Sequence, residues 1–451
     1  MKSSTKSSAS ITEGIIYKAL LSFFFPILFG TFFQQLYNTV DAVVVGRFVG
    51  KEALAAVGGS AAMFINLLVG FFMGLSSGAG VIISQFYGAK NDSDIKNAVH
   101  TSVSLCIIGG ALMTVLGFFL ARPMMILMKS PEEIIDMAVI YLRIYFLGMI
   151  PMFIYNMISG ILRAVGDSRT PLIILIISCF CNIALDIILV VLFNLGVAGV
   201  AIATVLCQFI SAAISLGFLM HTKESYHFSF KSLSLRPDML SAILKIGFPA
   251  GIQSILYTVS NLIIQTNINT FGTNDIAAWA AYGKIDVLFW MIVNAFGISV
   301  TTFSGQNYGA KKYDRVKKGM WVTLALSTGT TLFITALFLI FPRQLLSLFT
   351  SDQDVLTEGM QMMHFLVPFY VTYISIEVLS GTIRGAGISF APMMITVFGI
   401  CGLRLVWLFT AVPLSHSIIT VIWSYPITWI ITTIAFWIYY LKGNWLRKEK
   451  D

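Results

Sequence analysis

Long apolar runs separated by short polar segments are the feature that most restricts what this chain can fold into. The runs 170–193 and 418–441 are typical, and each is close to the roughly 20 residues that a helix needs to cross the hydrocarbon core of a bilayer. Only 11% of the 451 residues are charged, against about 25% in an ordinary soluble chain, which excludes a soluble fold. The runs lack the alternation of barrel strands, so spanning helices are predicted.

The sequence predicts about twelve such helices, bounded by charged residues or by Pro and Gly. Their approximate limits are 17–45, 54–86, 97–121, 134–160, 170–193, 197–221, 241–271, 276–306, 319–341, 356–382, 391–413 and 417–441. The first run extends past the length of a signal-peptide core and carries polar residues, so we expect an uncleaved first span. The predicted fold class is an all-α membrane protein.

The formal net charge of +8 comes from basic loops, and these loops report topology rather than affinity for nucleic acid. With twelve spans both termini share one side, and the basic residues on that side are Lys2, Lys6, Lys90, Lys96, Arg163, Arg169, Lys223, Lys231, Arg236, Lys311, Lys312, Arg315, Lys317, Lys318, Arg384 and those from Arg447 to Lys450. The opposite loops hold only Arg47, Lys51, Arg122, Lys129 and Arg343. The first side, with both termini, is therefore predicted to be cytoplasmic.

The chain also repeats itself. The hexapeptide 85–90 recurs at 306–311, and Ser159-Gly160 with its following Arg, Gly and Pro recurs 221 residues later at Ser380-Gly381. Pro26 likewise recurs as Pro249. We predict two six-helix lobes, 1–221 and 241–451, joined by a cytoplasmic linker 222–240. An even number of spans in each repeat relates the lobes by an axis along the membrane normal.

The motifs, in their order, resemble the multidrug and toxic compound extrusion (MATE) family. They are 26–41 with the following Gly46, Gly50 and 54–58, the two Gln-x-Tyr-Gly-Ala-Lys loops, the two Gly-x-x-Arg-x-x-Gly loops, and Asn182 with Asp186. The resemblance covers essentially the whole chain. It implies a V-shaped pair of lobes in a bacterial or archaeal plasma membrane, exporting amphipathic, often cationic compounds against a proton or sodium gradient without a cofactor.

The sequence departs from one branch of that family. Members that resemble the sodium-coupled norfloxacin exporters have acids in the seventh span and after the tenth, where this chain has Tyr257 and Ile388. The first-half pattern, Asp41 with Asn182 and Asp186, is intact and resembles the prokaryotic DinF-like branch. The resemblance therefore places the cation site in the first half.

Asp41 is the leading candidate for coupling, because an ionised carboxylate at membrane depth costs at least about 2.5 kcal/mol and normally faces a bundle interior or a wet cavity. Gln34, Tyr37 or Asn38, and Asp41 follow helical spacing and share one face. The alternative is that Asp41 lies near the membrane surface beside Arg47 and only anchors the span.

Ser178, Asn182 and Asp186 are spaced four apart in the fifth span. If they face the Asp41 stripe, as the resemblance implies, Asp41, Asn182 and Asp186 can hold a sodium ion with oxygen ligands or share a proton. The alternative is polar contact between helices, worth about 0.6 kcal/mol per pair.

Pro26 should bend the first span, which is either a coupling bend or a purely structural one. In the second half Gln253, Tyr257, Asn261 and Gln265 form a neutral ladder at four-residue spacing. Such a ladder suits substrate contact or helix packing equally. Gln34, Met291 with Phe289, and Glu377 complete the predicted substrate cleft.

The other charges at depth in the second half, Lys284, Asp286 and Arg404, are expected to pair with one another or with Glu377. The basic loop from Lys311 to Lys318 can bind anionic lipid headgroups, although topology alone accounts for its charge.

Two other functions are alternatives to a transporter. A flippase of a lipid-linked precursor would favour extra spans and a strongly cationic cleft, and a membrane enzyme would need a nucleophile, metal or phosphate motif that is not found. The expected protein is a monomeric transporter whose partners are small amphipathic or cationic substrates and membrane lipids, with no nucleic acid. The physiological substrate and the choice between proton and sodium stay open.

Overall fold

The computed structural model describes residues 11–415 and 417–446. These ranges are mostly helical and contain no strand, which confirms the predicted all-α membrane fold. The predicted cytoplasmic residues Lys2 and Lys6 and the tail from Arg447 to Lys450 lie outside the described residues.

Eleven helices in the described ranges are long and apolar enough to cross a membrane, and a bent pair makes a twelfth when it is counted as one span. In chain order they are α1 Ile16–Val49, α2 Lys51–Gly88, α3 Asp92–Leu127, α4 Glu132–Leu147 with Met149–Ala164, α5 Arg169–Leu192, α6 Gly196–His221, α7 Pro237–Ile268, α8 Thr273–Gly309, α9 Tyr313–Ile340, α10 Gln353–Gly385, α11 Phe390–Leu414 and α12 Ile418–Lys442. Every predicted span falls on one of them. Several helices extend a few residues past the predicted limits, because their polar end turns form helix beyond the apolar run.

The start of α3 shows why such an end turn is helical. The Asn91 side chain accepts a hydrogen bond from the Asp94 backbone N–H and caps the helix. Asp92 and Asp94 lie in the first turn, where negative charge is favourable beside the unpaired N–H groups. This polar turn carries the helix five residues before the predicted start at residue 97.

The fourth span is bent by 53° between its two halves. Gly148 separates them, and a side chain there would overlap the Gln208 side-chain oxygen of α6. Pro151 lies in the first turn of the second half, where its missing N–H has no carbonyl to bond. The bend therefore has two causes: Gly148 allows α6 to pack closely against α4, and Pro151 favours the start of a new helix.

The contacts divide the described chain into two compact units. The first unit comprises Phe25–Gly251, and the second comprises the chain up to Phe24 together with the chain from Ile252 onward. Each unit has its own buried apolar core. The division falls inside α1, next to Pro26, and inside α7, two residues after Pro249.

Within the first unit, α2 and α7 approach each other at four glycines. Gly74 and Gly78 of α2 face Gly247 and Gly251 of α7, and a Cβ atom at Gly78 would lie 2.5 Å from the backbone nitrogen of Gly247. Small residues four apart let two membrane helices meet at their backbones, where van der Waals packing replaces the hydrophobic effect.

Candidate functional site

A polar cavity of about 190 Å³ lies inside the first unit. Its polar lining comes from five helices: Gln34, Tyr37 and Asn38 of α1, Asn66 of α2, Tyr145, Tyr155 and Asn156 of α4, Ser178 and Asn182 of α5, and Thr204, Gln208 and Ser211 of α6. The two stripes predicted on the first and fifth spans, apart from their last residues Asp41 and Asp186, thus line one cavity. Polar cavities inside a spanning bundle are the sites where substrates and ions are handled.

Asp41 and Asp186 lie one helical turn beyond the cavity-lining residues of their helices. Asp186 is 0% exposed and Asn182 is 2% exposed. The Asp41 and Asp186 carboxyl groups are near enough to interact electrostatically. Arg47, the neighbour in the alternative interpretation of Asp41, is exposed. The structure therefore brings the two predicted carboxyl groups together.

Several polar atoms of this site are buried without a hydrogen-bond partner among the described residues. They are one Asp41 oxygen, both Asp186 oxygens, and the amide oxygen and nitrogen of Asn182. Buried polar groups are nearly always satisfied, so this cluster of oxygens has room for a further partner. The donor set, two carboxyl groups and an amide, fits a proton or a hard cation with oxygen preference.

Both carboxylate-bearing helices end in a π-helical turn. Val45–Val49 begins four residues after Asp41, and Ile187–Leu192 begins directly after Asp186. The two π-helical segments pack against each other. Wide turns of this kind interrupt the regular hydrogen-bond ladder and recur at functional sites.

Sequence reasoning missed part of the site. Tyr141 and Tyr145 of α4 lie near enough to interact electrostatically with Asp41, and the Gln208 side chain of α6 lies beside Tyr145. A polar stripe at helical spacing on the sixth span, Thr204, Gln208 and Ser211, was the available signal for the α6 side of the cavity.

The predicted substrate residues of the second unit have side-chain partners of their own. The Tyr257 and Tyr373 hydroxyl groups are 3.1 Å apart, and Gln265 donates to the Asn269 side-chain oxygen at 2.9 Å. Gln253 is half-buried. Met291 is 6% exposed, and Phe289 beside it stacks on Tyr370 with ring centroids 3.9 Å apart.

The buried charges of the second unit are not paired as predicted. Asp286 accepts hydrogen bonds from Tyr282, Trp290 and Tyr370, and Arg404 donates to Asn261 at 3.2 Å and lies over the Tyr425 ring. No ion pair joins Asp286, Glu377, Lys284 or Arg404 to another of these side chains within 11–415 and 417–446. Neutral donors thus satisfy the Asp286 carboxylate, and an amide and an aromatic face contact the Arg404 guanidinium.

Glu377 of α10 is half-buried. A side chain at Gly297 of α8 would overlap its carboxylate, so the two helices meet closely there. Pro26 is half-buried at the point where α1 passes from one unit to the other.

A family model described as MatE matches the chain twice, over residues 26–188 and 249–410. The two matches fall on the two copies of the internal repeat, and together they cover well over half of the chain.

Similar proteins span nearly the whole chain. The probable multidrug resistance protein YoeA of Bacillus subtilis (strain 168) is 29% identical over 446 residues, covering 96% of this chain and 95% of the relative. The probable multidrug resistance protein NorM of Thermotoga maritima is 26% identical, covering 96% of this chain and 94% of the relative.

A solved structure described as an outward-facing conformation of a multidrug resistance MATE family transporter of the MOP superfamily has the same fold. It superposes with a TM-score of 0.91 at 22% identity, covering 98% of this chain and 99% of the other.

Proposed function

Because this chain belongs to the MatE family of multidrug efflux transporters, we propose that it is a secondary active antiporter of the plasma membrane. It exports amphipathic, often cationic compounds in exchange for protons or sodium ions. It works as a monomer, with Asp41, Asp186 and Asn182 as its cation site.

The observation that carries this proposal is the pair of carboxyl groups with orphaned oxygens in the first unit. Two ionised carboxylates in contact repel each other, and both lose hydration when they are buried. The closed site is therefore stable only with a cation in it. A proton on one carboxyl group makes a hydrogen bond to the other, whereas a sodium ion is held by the carboxylate oxygens and the Asn182 amide oxygen.

The cation and the exported compound oppose each other through α1. Asp41 lies on the same helix as Gln34 and Asn38, which line the cavity. Loading the cation draws this helix toward α5 and bends it near Pro26, which narrows the cavity against bound substrate. The two ligands compete without sharing atoms, and by linkage each weakens the other by the same factor.

We expect Gln34 to contact the compound in the cavity of the first unit. The second-unit contacts Gln253, Tyr257, Asn261, Gln265, Met291 and Glu377 stay predictions from the sequence. Their side chains are mostly neutral and polar or adaptable, which suits varied amphipathic ligands. Gln265→Ala is expected to change which dyes are exported while leaving the dependence on the driving ion unchanged.

The test is dye export by the purified protein in vesicles, with a pH gradient and a sodium gradient imposed separately. Wild type is expected to export a cationic dye with one of the two gradients. Asp41→Asn and Asp186→Asn are expected to bind the dye but lose gradient-driven export, and Pro26→Ala to bind it and export it slowly. Asp136→Asn, which removes an exposed carboxylate of the same unit, is the control and should export normally.

Two results would contradict the proposal. Dye export by wild type that depends on neither gradient would show that the protein is not an antiporter. Full coupling in Asp41→Asn with loss of coupling in Glu377→Gln would move the cation site to the second unit.

A further inference from the structure

A second, larger cavity of about 670 Å³ lies in the second unit, outside the candidate transport site. It is formed where α1 begins and where α9 begins, and its lining includes Ile15, Ile16, the residues 311–315 and Lys318. The charge asymmetry of the loops predicts that this end of the helices is cytoplasmic.

The lining of this cavity is strongly basic. Lys311, Lys312, Arg315 and Lys318 line it, and Asp314 is the one acidic residue in the lining. Glu13 lies near Arg315 and interacts with it electrostatically. The cavity keeps a net positive charge with both acids counted.

The wall of the cavity is built by hydrogen bonds from these cations. Arg315 donates to the backbone carbonyls of Ile11, Glu13 and Gly14 at 3.1, 2.8 and 2.9 Å, and the Lys312 ammonium donates to the Thr12 carbonyl at 2.8 Å. Carbonyl groups orient the two side chains but do not neutralise them. The chain before α1 is thereby fixed as one side of a cationic cavity.

The repeat supplies an internal comparison. Lys90 and Lys311, 221 residues apart, have the same left-handed backbone with φ of 57°, and each is followed by the start of a long helix. The first copy has Asn91, Asp94 and Asn97 where the second has Lys312, Arg315 and Lys318. The backbone turn therefore does not require these three cations.

Membrane topology does not require them either. Each copy has a pair of lysines at matching positions, Lys90 with Lys96 and Lys311 with Lys317, which already serve the positive-inside preference. Lys312, Arg315 and Lys318 are the additional cations, and all three line the cavity, whereas Lys317 does not. The extra charge is placed where a ligand can meet it.

We propose that this cavity binds the phosphate group of an anionic membrane lipid. Its charge fits a phosphate, and the apolar surface that continues from it fits acyl chains. Ile15 is 52% exposed at the start of α1, and Trp321 is 54% exposed on α9, one turn after Lys318 on the same face. Tryptophan favours the interface between headgroups and acyl chains, so a lipid can lie with its phosphate in the cavity and its chains along these residues.

Native mass spectrometry of the purified full-length protein measures this binding directly. Wild type is titrated with phosphatidylglycerol and, separately, with phosphatidylcholine, and it should bind the anionic lipid more tightly. The double variant Lys312→Gln, Lys318→Gln should lose about 25-fold in affinity for phosphatidylglycerol, fivefold per cation, which corresponds to about 1 kcal/mol each.

The first-half loop provides the matched control. Lys90→Gln, Lys96→Gln removes the same charge from the same turn and should leave the affinity unchanged. Lys318→Gln alone keeps the Lys312 bond to Thr12 and serves as the test if the double variant unfolds. Its affinity for phosphatidylglycerol should fall about fivefold. Equal affinity for the two lipids, an equal loss in the control, or displacement of the lipid by inorganic phosphate at the same concentration would each overturn a lipid site.

Discussion

Asp41 and Asp186 are unusual among the side chains of the first unit because they place two acids against each other in a buried site. The Asp186 oxygens and the Asn182 amide have no partner among the described residues. Such a cluster is unfavourable when both acids are ionised and favourable when a cation joins them. If the site holds the coupling ion, as we propose, the stability of the unit depends on the supply of that ion.

This dependence predicts that the unfolding temperature changes with pH. As pH rises, wild type loses the shared proton, the two carboxylates repel, and the unfolding temperature should fall. Asp41→Asn removes the repulsion, so its unfolding temperature should fall less. Thermal unfolding in detergent, in choline chloride and in sodium chloride, measures this.

Comparing the two salts distinguishes sodium from protons as the coupling ion. If sodium occupies the site, sodium chloride restores the unfolding temperature of wild type at alkaline pH, and choline chloride does not. Asp136→Asn should follow wild type in both salts. A parallel decline of wild type and Asp41→Asn would mean that the carboxyl pair does not control stability.

The sequence could reveal the acids of the site but not all of their neighbours. An ionisable residue in a spanning helix is rare enough to be noticed, and helical spacing places Asn182 and Asp186 on one face. Tyr141, Tyr145 and Gln208 were missed because hydroxyl and amide groups are common in spans. Spacing shows which face such residues share, but not which helix lies against that face.

Helix packing in the first unit depends on small residues where α2 and α7 meet. Gly78→Ala should destabilise the protein by about 1–3 kcal/mol, because the added methyl group meets the α7 backbone and overpacks the contact. A lower unfolding temperature in detergent is the expected result.

Gly217 of α6 is the matched control. A Cβ atom there meets nothing within 4 Å, so Gly217→Ala should be neutral or stabilise by up to about 1 kcal/mol through the unfolded chain. Equal unfolding temperatures for Gly78→Ala and wild type would show that the close approach of α2 and α7 is not needed.

The positions of the helices were largely predictable, whereas their irregularities were not. Hydropathy locates a span because the hydrocarbon thickness fixes its length. The bend at Gly148 and the π-helical turns after Asp41 and Asp186 depend on how neighbouring helices pack. Gly148 and Pro151 are visible in the sequence, but the approach of α6 to Gly148 is not.

Across the whole molecule, the two copies of the internal repeat share the order of their helices but differ in their buried polar side chains. The first copy carries the acidic pair. The second carries neutral side chains around Arg404, which is 1% exposed and bonded to Asn261. Duplicated spans thus keep their order while the side chains at their buried positions change.

The orientation of the whole chain gives a further prediction. In a cysteine-free background, a cysteine at the exposed Ser232, between α6 and α7, should react only with reagents that enter the cytoplasm. A cysteine at the exposed Ser351, between α9 and α10, should react from outside, because three spans separate the two positions. The reverse pattern of labelling would show that the topology predicted here is inverted.

The pH dependence of substrate affinity tests the central claim most directly, namely that Asp41 and Asp186 hold the coupling cation. Dye binding to purified protein is measured over a series of pH values for wild type, Asp41→Asn and the control Asp136→Asn. Wild type and Asp136→Asn should bind dye more weakly as pH falls, because the protonated pair opposes the substrate, and Asp41→Asn should bind with nearly constant affinity. A pH dependence in folded Asp41→Asn equal to that of wild type would contradict the claim.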